Sequence, residues 1–306
     1  MDFDGMFIMP GIIDSHVHVT MIVGLEYTDL GTHVECENKK EVLSYMAESI
    51  RNNPDPKSHR FAMKRKTLGE DDITNDTPDP VPGLSYFVRK DGHVTGNVFE
   101  YTIMRFFLDD MKSLTDEQID KALECWVDYS VKAGVTCVFD AGIPEDNDFH
   151  ERVYARLCEM DRQGMLPVYI DGCYVSMHPK RWKEDLKALK RFNRDYNTEH
   201  LKVHTLKIIM DGTLKIETAA LITPYEGTNK TGVTSYNKEQ LAEVLRELNE
   251  LGFDLHLHTV GEGASRTVLD SVETVKKELG DAYRVKVTCA HLEIQDDTDM
   301  DRFAEL

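Results

Sequence analysis

Runs rich in β-branched residues alternate with helical patterns along this sequence, and this alternation restricts the possible folds more than any other feature. The β-rich runs lie near residues 12–18, 135–140, 167–175, 201–210, 253–260 and 284–291. The helical stretch after Thr115 begins with a capping box to Gln118 and should end at Gly134. Strands that alternate with helices build a parallel sheet. The sequence therefore predicts an α/β fold, a partial (β/α)8 TIM-type barrel with about six of the eight units of a complete barrel.

Length and charge restrict the domain organisation and the kind of partner. The 306 residues predict a single, incomplete barrel domain over residues 1–306, with an insertion around 20–114. The net charge of −19 disfavours binding to nucleic acid or to an anionic membrane. No apolar run is long enough to cross a membrane, and the six cysteines form no C-x-x-C pair. We therefore expect a cytoplasmic protein that binds a small-molecule substrate.

Side chains that can bind metal ions stand where several predicted strands end. His16 and His18 end the first strand, and Lys207 lies near the end of the fourth. His258 and His291 end the fifth and sixth strands. The C-terminal ends of parallel barrel strands meet at one rim, where catalytic groups gather. Because neutral imidazoles suit zinc, iron, manganese or nickel, the pattern predicts a metal site at this rim.

Further polar residues are candidates for the lining of the same site. His93, Asp140 and Asp211 are candidates for contact with the substrate. Asp140 and Asp211 follow predicted strands, and capping of the adjacent loops is the alternative role for both. His256 precedes His258 by two positions, so on a strand it is a candidate for the same face.

The segments around these candidates resemble one protein family. Residues 10–18, Pro-Gly-Ile-Ile-Asp-Ser-His-Val-His, resemble the first-strand pattern P-G-[FIL]-[IV]-D-x-H-x-H of the amidohydrolase superfamily. Residues 206–213 resemble V-K-[LIF]-x-x-D-G-[ST], and residues 258–262 are similar to H-A-I-G-D. Similarity continues in residues 91–100 and in residues 290–293. Together they resemble the YtcJ-like group, amidohydrolase family 3, which includes N-substituted formamide deformylases.

This resemblance implies a metal-dependent hydrolase and gives each residue a role. His16 and His18 would hold one divalent metal ion, and His258 and His291 a second. Lys207 would be carboxylated and bridge the two ions. Catalytic roles would then fall to Lys207, His258 and His291, with zinc as the expected metal. A metal-bound water with its pKa lowered to about 7 would attack the carbonyl of an amide or formamide-like C–N bond.

The sequence departs from the family pattern in three places. Almost no residues precede the first strand, where the family begins a small β-sandwich, and no strands follow the sixth, where the family places a metal-binding Asp. Residues 20–90 lack the usual motifs of the family. We therefore expect a fragment whose open strand edges favour self-association, including a homo-oligomer. An inactive binding or scaffold module, or a metal-dependent lactone or phosphoester hydrolase, remain as alternatives.

Overall fold

The computed structural model describes most of the chain. The described residues are 9–26, 74–79, 81–98, 114–143 and 147–306, together with positions 40, 41, 44, 47, 48, 51 and 100. Within them, the strands are β1 (Ile12–Val17), β2 (Phe87–Lys90), β3 (His93–Val98), β4 (Val135–Asp140), β5 (Tyr169–Ser176), β6 (Leu201–Ile209), β7 (Asp254–Thr259) and β8 (Val287–His291). The α-helices of the same residues are α1 (Val19–Glu26), α2 (Asp116–Lys132), α3 (Asn147–Arg162), α4 (Trp182–Asp195), α5 (Lys238–Leu251), α6 (Glu262–Leu279) and α7 (Met300–Glu305).

Six of these strands form one parallel sheet in the order β1-β4-β5-β6-β7-β8, and β2 with β3 forms a separate antiparallel hairpin. The sheet curves into a nearly closed barrel, so that side chains of β1 meet side chains of β7 and β8. All six predicted strands are therefore confirmed, as is the partial TIM-type barrel.

Local sequence signals begin and end the helices at the expected places. The Thr115 hydroxyl accepts a hydrogen bond from the backbone N–H of Gln118, whose side chain in turn accepts one from the backbone N–H of Thr115. Asn237 and Gln240 form the same capping box at the start of α5. Each box satisfies N–H groups that a helix leaves without partners in its first turn.

The core lies between the outer face of the sheet and the helices. Leu206 and Ile208 on β6 are fully buried in it, and Leu255 and Leu257 on β7 pack in the same layer. Because side chains alternate along a strand, the residues that lie between these four on β6 and β7 face the interior of the barrel. This alternation turns Lys207 on β6 inward, together with the histidines of β7.

The sheet has two open edges within the described residues, since β1 pairs only with β4 and β8 only with β7. Ile12 and Ile13 on β1 are 46% and 69% exposed. Self-association through these edges stays a prediction, and so does the single-domain organisation. Much of the predicted insertion around 20–114 lies outside the described residues. In the part of the chain that is described, no helix is long and apolar enough to span a membrane.

Candidate metal centre

Four of the predicted ligands and one further histidine lie together at the C-terminal rim of the barrel. We call them the histidine cluster: His16, His18, His256, His258 and His291. The ring centroid of His16 lies 5.1 Å from that of His18, 5.1 Å from that of His256 and 5.0 Å from that of His291. The rings of His258 and His291 are 4.5 Å apart. The cluster thus brings β1 together with β7 and β8, which lie far from β1 in the sequence.

Oxygen atoms lie behind two rings of the cluster, and one of them accepts a hydrogen bond. The Nδ1 of His18 donates a hydrogen bond of 2.7 Å to the carbonyl oxygen of Gly142. Since a carbonyl oxygen only accepts, neutral His18 carries its proton on Nδ1 and keeps a lone pair on Nε2. The Nδ1 of His258 lies 3.4 Å from a carboxylate oxygen of Asp211. Such contacts to the second ring nitrogen are typical of metal-binding histidines.

Three rings of the cluster favour the neutral imidazole. Burial, with a contribution from the charge of Lys207, lowers the pKa of His16 to about 3 and that of His256 to about 2. Partial desolvation and the neighbouring His258 lower the pKa of His291 to about 4. At neutral pH these three rings therefore each keep a lone pair, which a metal ligand requires.

His256 lies inside the histidine cluster, in contact with His16. Its Nε2 lies 3.0 Å from the Nδ1 of His16, and its ring stacks on Phe139 with the centroids 4.2 Å apart. A proton on the Nδ1 of His16, donated to His256, leaves the Nε2 of His16 free to bind a metal ion. The sequence signal was the two-residue spacing to His258, which places both rings on the inner face of β7.

Lys207 lies beside this cluster in the barrel interior. It pairs in register with His256 across the β6–β7 ladder and is 1% exposed. Its Nζ forms no hydrogen bond within the described residues, and burial lowers its pKa to about 7. A buried polar atom without a protein partner leaves a place for a water molecule or a ligand that can satisfy it.

These features fit a divalent metal ion. Two imidazoles that share a tetrahedral ion place their centroids about 5 Å apart, because each bond from metal to nitrogen is about 2 Å. The spacings of 4.5 to 5.1 Å in the cluster agree with this value. Among the described residues, no three His, Cys, Asp or Glu side chains already converge as a complete set of ligands. Rotation of the rings would have to complete the set.

His291 adopts a backbone conformation that is unusual for a residue with a side chain. Its φ of 80° and the φ of 50° at Leu292 both lie in the left-handed region. Such conformations cost about 1–3 kcal/mol each and concentrate at functional sites. Two hydrogen bonds hold this turn, from the backbone N–H of Leu292 to Thr259 O at 2.8 Å and from that of Ile294 to Val260 O at 3.1 Å.

Asp211 is fully buried behind the rim. Its carboxylate accepts hydrogen bonds of 2.9 Å from the backbone N–H groups of Ala220, Val260 and Gly261. With both oxygens occupied in this way, Asp211 is placed to fix the loops after β6 and β7. The arrangement favours the capping alternative over contact with a substrate.

Asp140 is equally buried at the end of β4. It accepts hydrogen bonds from the backbone N–H groups of Val19 and Gly142, both at 3.0 Å, and from the Thr20 hydroxyl at 3.1 Å. Burial alone would raise the pKa of Asp140, but the His150 imidazole, the backbone N–H of Gly142 and the nearby His18 ring outweigh it and lower the pKa. The hydrogen bonds of Asp140 therefore also favour a role as a loop cap over contact with a substrate.

His93 lies apart from these residues. It is exposed on β3, and its Nδ1 is 2.9 Å from the side-chain nitrogen of Asn75. Asn75 also accepts a hydrogen bond from the backbone N–H of Val94. Within the described part of the chain, the structure shows no contact between His93 and the histidine cluster.

Comparison with known proteins identifies the family. A sequence model of the amidohydrolase family matches residues 54–306, which is most of the chain. The chain belongs to the amidohydrolase family. It is 26% identical over 226 residues to YtcJ of Bacillus subtilis (strain 168), whose name describes it as an amidohydrolase. The resemblance to the YtcJ-like group is thereby confirmed.

Two further proteins are similar to this amidohydrolase-family chain over nearly its whole length. The exoenzymes regulatory protein AepA of Pectobacterium carotovorum subsp. carotovorum is 22% identical over 347 residues. The crystal structure of an uncharacterized metal-dependent hydrolase from Pyrococcus horikoshii OT3 shares the fold, with a TM-score of 0.61 and 18% identity, over 97% of this chain. The chain spans 72% of the length of AepA, 61% of that structure and 39% of YtcJ.

Proposed function

We propose that this chain forms the metal-binding part of a hydrolase that cleaves a non-peptide C–N bond in a small amide or formamide-like substrate. The observation that supports this most is the histidine cluster beside the buried Nζ of Lys207, which has no hydrogen-bond partner among the described residues. Nitrogen donors around a buried amine at the C-terminal rim of a barrel form a catalytic environment. Membership of the amidohydrolase family supports the hydrolytic chemistry.

His16 and His18 would hold one ion, and His258 and His291 would hold a second. Zinc is the metal we propose, because it accepts imidazole ligands in tetrahedral sites. Iron, manganese and nickel are compatible with the same ligands. When bound, such an ion acidifies a water molecule and polarises the carbonyl group of a substrate.

The residues of the chain prepare this chemistry. The carbonyl of Gly142 keeps the proton of His18 on Nδ1, and Asp211 has the corresponding place behind His258. Burial of Lys207 favours its neutral amine, which can attack carbon dioxide. In that step the nitrogen lone pair forms a bond to the carbon of carbon dioxide, one C=O π bond breaks onto its oxygen, and the nitrogen releases a proton to water, which gives a carbamate with two oxygen donors. Carboxylated Lys207 would thus bridge the two ions.

The test is metal content, measured by elemental mass spectrometry on protein purified without chelator. We expect about one to two equivalents per chain in the wild type, and loss of metal in His16→Ala and His258→Ala. His93→Ala is the matched control, because His93 is exposed and outside the cluster. Wild-type protein with less than about 0.1 equivalent, or ligand variants that keep their metal, would refute the site.

The bond that is cleaved needs a separate assay. A panel of formamides and other amides should be hydrolysed faster than lactones or phosphotriesters, and loss of turnover should follow loss of metal in His258→Ala. The opposite preference would assign the same site to the alternative chemistry.

A binding or scaffold role is the second candidate function. It is favoured by the similarity over the whole chain to AepA, which is named as a regulatory protein. Metal-loaded protein that hydrolyses none of these substrates would support this candidate.

A further inference from the structure

Gly142 stands at a crowded point directly behind His18. Its φ of 71° lies in the left-handed region, and an added Cβ would come within 2.5 Å of Val175 Cγ2. The same Cβ would lie 3.0 Å from the Cε1 atom of the His150 ring and 3.1 Å from the sulfur of Cys173. Gly142 is therefore packed from two sides, and its carbonyl oxygen faces the Nδ1 of His18.

His150, on α3, packs against this point, and neither of its ring nitrogens forms a hydrogen bond within the described residues. Its side chain is fully buried, and its Nε2 lies 3.6 Å from Asp140 Oδ2. The other oxygen of Asp140 accepts the backbone N–H of Gly142. The ring of His150 also packs edge-on against Tyr154 and Phe192. One imidazole thus touches both the carboxylate that binds the Gly142 N–H and the α-carbon side of Gly142 itself.

We propose that His150 is a positioning residue for His18. By holding Asp140 and Gly142, it fixes the carbonyl oxygen that sets the tautomer and the direction of the His18 ring. The inference rests on the proposed function, since it concerns the affinity of His18 for a metal ion.

The chain offers matched variants to test this. His150→Phe keeps an aromatic ring against Tyr154 but removes the nitrogen atom near Asp140. His150→Gln restores a nitrogen donor at the position of Nε2. His200→Phe is the control, because His200 also pairs with a carboxylate, that of Asp161 at 2.6 Å, and precedes the N-terminal end of β6.

Two measurements are needed. The first is titration of the chelator-treated chain with Co²⁺ alone, followed by absorption spectroscopy. We expect affinity to fall about 10- to 100-fold in His150→Phe, to recover in His150→Gln, and to stay at the wild-type level in His200→Phe. The second is nitrogen NMR of the metal-free, histidine-labelled chain. His18 should be the Nδ1–H tautomer in the wild type and a mixture of tautomers in His150→Phe.

The outcomes separate this inference from the proposed function. If folded His150→Phe keeps both the Co²⁺ affinity and the His18 tautomer of the wild type, the inference is wrong and the metal site stands. An equal loss of affinity in His200→Phe would also overturn it. If the wild type binds no Co²⁺ but the tautomer still changes in His150→Phe alone, the positioning role stands and the proposed function fails. Should His150→Phe not fold, His150→Asn takes its place: its shorter amide stays polar but does not reach Asp140, so the same fall in Co²⁺ affinity and the same mixture of His18 tautomers are expected, and wild-type values for both would overturn the inference.

Discussion

Replacement of Lys207 by methionine should stabilise the metal-free chain. The side chain of Lys207 is buried, and its Nζ has no hydrogen-bond partner in the described structure. Burial lowers its pKa from 10.5 to about 7. A tenfold change in proton affinity corresponds to about 1.4 kcal/mol, so this difference amounts to about 4–5 kcal/mol of unfavourable free energy when the group is charged. Methionine is of similar length, apolar and flexible enough to fill the same space.

The stability difference between Lys207→Met and the wild type should depend on pH. Between pH 7 and 10.5 the unfolded chain keeps the proton on Lys207, while the folded chain has released it. The unfolded state binds more protons in this window, so the stability of the wild type rises with pH. Lys207→Met lacks this increase. The variant should therefore exceed the wild type by about 4 kcal/mol at pH 7, and the difference should close towards pH 10.5.

Urea unfolding, with chelator and in buffers free of carbon dioxide, measures the difference in free energy of unfolding at pH 7 and its change with pH. Lys202→Met is the matched control, because Lys202 is exposed on the same strand, and its stability should match the wild type. The stabilised variant should also lose metal binding, which would separate the functional role of Lys207 from any structural one. If Lys207→Met is less stable than the wild type at pH 7, or if their difference does not change with pH, the argument from an unpaired buried amine is refuted.

Two further predictions concern the residues behind the ligands. Asp211→Asn should lower the free energy of unfolding by about 2–4 kcal/mol, because an amide cannot accept all three backbone N–H bonds that the carboxylate accepts; a loss below about 1 kcal/mol in urea unfolding would contradict the bracing role. Gly142→Ala should lower the free energy of unfolding by at least about 2 kcal/mol. Alanine is strained at the left-handed φ of this position, and its Cβ would clash with the side chain of Val175. A thermal midpoint equal to that of the wild type would show that this packing is looser than the structure indicates.

The barrel could be predicted from the sequence because its signals are local. Capping boxes at Thr115 and Asn237 and a glycine such as Gly252 after α5 mark helix boundaries through contacts within a few residues. The alternation of apolar and polar residues on β6 and β7 likewise follows from the geometry of a single strand. These signals located the strands and most of the histidine cluster.

The roles of the buried groups were not predictable in this way. From the sequence, Asp140 and Asp211 were candidates for substrate contact, with loop capping as the alternative. The sequence could not decide between these roles, because it does not show which backbone N–H groups surround a carboxylate. His256 was a minor candidate, and His150 gave no signal, since it lies in the first turn of a helix and not at the end of a strand. Their partners come from other strands and helices, at separations of up to 240 residues.

The sequence by itself determined which segments become strands and helices, and which strand ends carry imidazole and amine groups. Only the tertiary structure decided that β1 lies close enough to β7 and β8 for His16 to meet His256 and His291. The physical reason is that the periodicity of each element sets the face of a side chain, whereas the curvature of the whole sheet sets the distance between faces. Burial then fixes the chemistry, because removal of water from Lys207 and His16 changes their affinity for protons.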